Sequence, residues 1–246
     1  MPSNISAHKV ALITGAARRI GRGIALELGR AGWSVAVHYR NSQAEADDLV
    51  RQLQDLGVES IALSADLADF NAMRGLVDQC VETIGAPVCL INNASEFLLD
   101  SLESLEESTW DVHQSINLKA PVFLAQAMLR ALPHGVEGNI INIIDQRVWK
   151  LTPDFFSYTI SKAGLWTATR TLAQALAPRI RVNAIGPGPV LQSVHQTNVE
   201  FAGEQTSTLL ARGPSPEEIA TAVKFILATP SMTGQMIALD GGQHLT

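Results

Sequence analysis

Tyr158 and Lys162 stand four residues apart in "YTISK", the spacing that sets two side chains on one face of a helix. A lysine ammonium beside a phenol lowers the phenol's pKa and lets it give up a proton near neutral pH, the acid half of a hydride-transfer reaction. Thirteen residues before the tyrosine, in "NIIDQRVWKLTPDFFSYTISK" (142–162), stands Asp145. An ionised carboxylate there opposes an oxyanion growing on a ketone. An acid can instead bond the N–H and amino groups of a heterocycle and serve proton delivery to a ring nitrogen. Asn117, in "INLKAP", is expected to hold a water that links the lysine to solvent.

A second group of residues suits a phosphate-rich ligand. "TGAARRIGRG" (14–23) carries Gly15, Arg19, Ile20 and Gly21 after an apolar run, and such glycines let the backbone approach a pyrophosphate at a helix N-terminus. The next apolar run ends in "HYRNS" (38–42), with no Asp or Glu to accept from a ribose 2′-hydroxyl. His38, Arg40 and Ser42, with Arg19, favour a 2′-phosphate, so the expected cofactor is NADP(H). Asp66 and Leu67 in "SADLAD" are expected at the adenine, with Asn93 and Ala94 of "INNASE" completing that site. Pro187 and Gly188 of "GPGPV" belong to the same set, and Phe97, Trp149 and Val190 are expected to face the substrate, Phe97 by stacking on a flat ring.

The elements that must position these groups are legible as apolar runs, at 9–14, 33–39, 58–65, 88–92, 139–144, 180–185 and 235–240. Helical patterns separate them. Runs apolar at consecutive positions imply strands covered on both faces, and alternation with helices implies a parallel sheet. The expected fold is α/β, a single Rossmann-type doubly wound sheet of about seven strands with helices on both faces. Residues 1–246 read as one domain, and residues 190–213, after a Gly/Pro-rich turn, as a mobile substrate lid.

Composition narrows the function classes. The formal charge is −6, from 18 basic and 24 acidic residues spread without blocks. No electrostatic footprint for nucleic acid or an anionic membrane is present. Cys80 and Cys89 have no CxxC spacing and read as reduced core thiols, which fits a cytoplasmic protein. The start "MPSNISAHK" lacks a signal-peptide pattern, and no apolar stretch reaches the roughly 18 residues of a membrane span. His8, His113, His134, His195 and His244 show no ligand spacing, so no metal is expected.

"TGAARRIGRG", "NNAS", Asn117, "YTISK", "VNAIGPGPV" and "LDGG", in that order, resemble the short-chain dehydrogenase/reductase family over essentially the whole chain. The resemblance implies an NAD(P)-dependent enzyme, a homotetramer and an Asn-Ser-Tyr-Lys catalytic set. Asn117, Tyr158 and Lys162 match that set, and Asp145 stands where the serine would be. Within the family the chain is most similar to the pteridine reductases, in Arg19, in "HYRNS" and in the aspartate. That resemblance implies an NADPH-dependent reductase of pterins, dihydropterins or dihydrofolate. A carbonyl reductase of 3-oxoacyl thioesters or small ketones is the alternative, with a water or Ser157 replacing the lost hydroxyl. A third reading is a non-catalytic NADP(H) sensor that contacts a partner through 190–213.

Overall fold

Consecutive residues of the strand Val10–Ile13 (β1) leave opposite sides of it, and all are fully buried. Val10 and Leu12 pack on one face of the sheet with the helices Phe70–Ile84 (α3) and Ala120–Ala131 (α5). Ala11 and Ile13 pack on the other with Arg19–Arg30 (α1), Gln43–Asp55 (α2) and Pro216–Ala228 (α8). Burying each large side chain such as Leu12 or Ile24 contributes about 1.5–3 kcal/mol, so both faces are stabilised by comparable apolar layers. The fold is taken from a computed structural model that describes residues 9–246. Residues 1–8, which include His8 and all but the last residue of the segment in which no signal peptide was expected, therefore lie outside the described residues.

Each expected apolar run is a strand. After β1 come Ser34–Tyr39 (β2), Ser60–Ser64 (β3), Cys89–Asn92 (β4), Gly138–Ile143 (β5), Ile180–Pro187 (β6) and Met236–Leu239 (β7). They form a 7-stranded sheet in the order β3-β2-β1-β4-β5-β6-β7, parallel throughout. The winding reverses between β1 and β4. Loops leaving those neighbouring strands diverge and open a crevice at the carboxyl edge, where ligands of doubly wound sheets bind.

Several helices begin at capped turns. Asp69 accepts from the Asn71 and Ala72 amides at the start of α3. Thr197 with Glu200 and Ser215 with Glu218 form capping boxes at Asn198–Thr206 (α7) and α8, satisfying amides that a helix start leaves orphaned. The helix Glu107–His113 (α4) runs into a π-helical turn, Gln114–Lys119, which carries Asn117. Phe156–Leu176 (α6) carries Tyr158 and Lys162 in its first turns. Both cysteines are free and buried, and burial pushes each thiol up to about 12. Among the described residues no helix is long and apolar enough to cross a membrane.

Candidate active site

Residues at or just beyond the ends of β1 to β6, with Gln243 beyond β7, converge on one cleft of about 840 Å³ at the carboxyl edge of the sheet. Its wall begins at the glycine loop. Gly15 has φ +62, and a Cβ there would stand 3.0 Å from the Ala94 Cα, so only glycine lets the loop lie against the end of β4. The Asn93 amide Nδ2 donates to the Thr14 and Gly15 carbonyls at 2.9 and 3.0 Å, and the Thr14 hydroxyl accepts from the Asn93 and Ala94 amides. Thr14 carried no signal in the sequence beyond preceding the first glycine. Gly21 is set back from the cleft: a Cβ would meet the Gly15 carbonyl at 2.5 Å and Asn93 Nδ2 at 2.6 Å. It allows α1 to pack on the loop.

His38 has a different role from the one its place in "HYRNS" suggested. Its Nδ1 accepts from the Gly15 amide at 3.0 Å, its Nε2 faces the Ala65 carbonyl at 3.1 Å, and the ring is buried. Both nitrogens are spent inside the protein, so His38 is a neutral strut under the glycine loop and has none left for a phosphate. Burial lowers its pKa from 6.5 to about 4. Arg40 and Ser42 do line the cleft, at the start of α2, where Ser42 makes no side-chain capping bond. Arg40 Nη1 pairs with Glu96 Oε1 at 2.7 Å. Asp66 and Leu67 line the same end, with Asp66 Oδ1 accepting from the Ala68 amide at 2.9 Å. Ile20, Pro187, Gly188 and Val190 also border the cleft.

Arg19 has φ 55, a left-handed conformation that costs a non-glycine residue about 1–2 kcal/mol. Its guanidinium offsets this by donating to the Leu191 and Gln192 carbonyls at 3.0 and 2.9 Å. The glycine loop is thereby tied to the segment after β6.

At the chemical end the Tyr158 hydroxyl donates to Asp145 Oδ2 at 2.9 Å. Asp145 Oδ1 accepts from the Arg147 amide at 2.8 Å, capping the 3-10 turn Gln146–Val148. Lys162 is buried, donates to the Ile143 carbonyl at 3.0 Å, and has Nζ 5.7 Å from the centre of the Tyr158 ring. The expected lowering of the phenol's pKa is reversed here. Burial, then the Asp145 charge and its hydrogen bond, hold Tyr158 well above the ordinary value of 10.0. Burial likewise raises Asp145 and brings Lys162 down to about 8, against the pull of Asp145. The unit is a carboxyl and a phenol joined by one hydrogen bond, beside a buried lysine.

The Asn117 side chain is bonded entirely within the protein. Its Nδ2 donates to the Glu96 carbonyl and Ser161 Oγ, and its Oδ1 accepts from the Glu96 amide and Ser95 hydroxyl. Its side chain is thus a clamp on the loop after β4, with no group left to hold a water. Ser157 cannot replace the missing hydroxyl, because its own is buried against Asp100 and His113. Trp149 is 44% exposed and packs edge-on against His244, outside the cleft wall. Phe97 lines the cleft, stacked on Phe155 with ring centres 4.1 Å apart and edge-on to Tyr158. Arg147, over the Phe155 ring, also faces the cleft. Neither Phe155 nor Arg147 was foreseen, since neither belongs to a spaced pattern. Among the described residues no cluster of His, Cys, Asp and Glu suits a metal ion.

A family model described as enoyl-(acyl carrier protein) reductase matches residues 15–244. The chain is 33% identical over 242 residues to the 3-oxoacyl-[acyl-carrier-protein] reductase FabG of Staphylococcus aureus, covering 96% of this chain and 98% of that one. The chain belongs to the short-chain dehydrogenase/reductase family. Among solved structures of that family, this oxidoreductase is similar to FolM alternative dihydrofolate reductase 1 from Brucella suis in complex with NADP, at 48% identity and a TM-score of 0.94, over 97% of this chain and 96% of that one. The corresponding Brucella canis protein, also complexed with NADP, is 47% identical with a TM-score of 0.92, over 97% and 95%. A blue fluorescent protein from a metagenomic library, in complex with NADPH, is 30% identical with a TM-score of 0.89, over 96% and 97%.

Proposed function

We propose that this short-chain oxidoreductase uses NADPH to reduce a C=N bond in a dihydropterin-type ring, in a free dihydropterin or in dihydrofolate. The observation that carries the reading is the Tyr158–Asp145 hydrogen bond. The Brucella dihydrofolate reductases, at 47 and 48% identity, support it.

NADPH, when bound, supplies the hydride. Its phosphates suit the α1 N-terminus, and Arg40 with Ser42 suits the 2′-phosphate, which would compete with Glu96 for the Arg40 guanidinium. Phe97 offers a face for a flat ring. The proton that balances hydride addition goes to the ring nitrogen from Tyr158, and the Lys162 and Arg147 charges oppose the negative charge left on the Tyr158–Asp145 pair. A ring nitrogen made basic by hydride addition can take that proton even from a phenol held above its ordinary pKa, and no oxyanion then forms on the substrate; the only new anion is the phenolate itself, which Lys162 and Arg147 oppose. Residues 190–213 act as the lid: Leu191, His195, Gln196 and Glu204 border the cleft.

The carbonyl-reductase alternative draws on the Staphylococcus aureus relative and on the retained Tyr158 and Lys162. The two readings separate on Asp145→Asn and Asp145→Ser, assayed with NADPH on dihydrobiopterin, dihydrofolate and a diketone. Both substitutions should depress pterin reduction, and the serine should raise the diketone-to-pterin ratio of kcat/KM. Absence of pterin and folate turnover in the unsubstituted enzyme, or one ratio shared by all three proteins, overturns the proposal.

A further inference from the structure

Packed against Tyr158 is a buried polar cluster that the proton chemistry above does not use. Asp100, His113 and Ser157 are at most 4% exposed, and the His113 ring centre is 5.9 Å from that of Tyr158. The cluster sits where α6 begins. The residue at that boundary, Phe155, has φ 54 and no side chain able to cap the helix, so the first-turn amides need acceptors from elsewhere. Asp100 supplies them from 57 residues away: its carboxylate oxygens accept from the Ser157 amide at 3.3 and 3.2 Å, and its carbonyl accepts from the Phe156 amide at 3.4 Å. A carboxylate is also the charge that a helix N-terminus favours.

The side chains continue the arrangement. The Leu98 amide donates to His113 Nε2 at 3.1 Å, so the neutral ring carries its proton on Nδ1. That atom lies 2.6 Å from Ser157 Oγ and donates to it, and the Ser157 hydroxyl in turn donates to Asp100. One run of hydrogen bonds therefore leads from the loop after β4 through α4 to the residue preceding Tyr158. Burial, assisted by Lys162, keeps His113 below its ordinary pKa against the opposing charges of Asp100 and Glu96, which agrees with a neutral ring.

We propose that Asp100 is a positioning residue for Tyr158, acting through Ser157 and His113 to fix the first turn of α6 so that the phenol meets Asp145. A cap at position 155 itself would have been purely local. A cap drawn from the segment that also carries Phe97 makes the tyrosine's position depend on the cleft loop. A misplacement of about 1 Å at a reacting group costs on the order of 100-fold in rate, so even a partial loosening is measurable. The inference rests on Tyr158 being the proton donor.

The test uses Asp100→Asn and Ser157→Ala in the full chain, with kcat, the KM for NADPH, the melting temperature and the titration of Tyr158 as readouts. The chain has 2 tyrosines, so the Tyr158 titration is the difference in tyrosinate absorbance between each protein and its Tyr158→Phe form. Asp100→Asn should lower kcat about tenfold, by the geometric sensitivity just given, leave the KM for NADPH within about twofold, and move the Tyr158 titration down towards that of an ordinary tyrosine. Ser157→Ala keeps the amide bond and should show the same changes at smaller size; it decides the matter if Asp100→Asn does not fold. Variants that lose melting temperature alone, with kcat and the Tyr158 titration unmoved, overturn the proposal. So does a fall in kcat matched by a rise in the KM for NADPH. The titration needs no substrate, so it still decides whether Asp100 positions Tyr158 if the pterin reading fails.

Discussion

Two segments border the cleft after strand ends, residues 93–100 after β4 and residues 190–213 after β6, and they are held in opposite ways. The first is fastened by interior bonds: Asn93 to the glycine loop, the Asn117 clamp on Ser95 and Glu96, His113 on Leu98, and Asp100 on α6. The second has no buried residue in α7, and Val194 and Val199 are 93% and 81% exposed. Val190 and Thr208 are buried, and the other fastenings are polar contacts around the cleft mouth: Arg19 to the Leu191 and Gln192 carbonyls, His195 to the Phe97 carbonyl, and Glu204 to Gln196 and Gln243. Leaving a buried polar group unpaired costs about 1–3 kcal/mol, whereas an exposed polar tie is worth on the order of 1 kcal/mol or less. The segment after β4 therefore carries more of the bonds whose loss is costly, and the segment after β6 more exposed surface.

That contrast breaks first at Tyr158. Tyr158→Phe keeps the ring packed against Phe97 and removes only the hydroxyl shared with Asp145. Turnover should fall roughly 100-fold to 10,000-fold with NADPH affinity little changed. A kcat near that of the unsubstituted enzyme would show that the more tightly bonded side carries no chemistry.

Acid should weaken the more tightly bonded side next. His38 is neutral in the fold with a pKa of about 4, against 6.5 when unperturbed, so protonation favours the unfolded chain. Its contribution is complete above about pH 6.5 and is lost as pH falls towards 4, by on the order of 3 kcal/mol. Denaturant titrations between pH 7 and 4 should show that loss, and His38→Gln should flatten the slope in this window. An unchanged slope would remove His38 as the cause.

The smallest effect belongs to the segment after β6. Glu204→Ala releases α7 from Gln196 and Gln243 and should raise the substrate KM about two- to fivefold, as expected for less than about 1 kcal/mol, with kcat and melting temperature nearly unchanged. A loss of turnover comparable to that of Tyr158→Phe would erase the distinction between the two segments.

The strands and their parallel, doubly wound arrangement were legible in the sequence, because burial on both faces forces apolar runs and alternation with helices implies parallel crossovers, whereas the strand order came from the structure. The placing of Gly15, Arg40, Phe97, Asp145, Tyr158 and Lys162 along one cleft was legible too, because their spacing from a strand end or along a helix is a local property. Where residues take their roles from distant partners, local spacing misled. His38 reads as a phosphate contact until Gly15 and Ala65 are seen to occupy its ring nitrogens, and Trp149 reads as a cleft residue until it is found against His244. Asp100, His113 and Ser157 carry no pattern at all, being 13 and 44 residues apart along the chain, yet the fold joins them. The sign of the Tyr158 shift was beyond the sequence for the same reason. Spacing brings the lysine near the phenol, but only the folded chain sets how much water is excluded and how close the Asp145 carboxylate lies, and those two decide the proton's affinity.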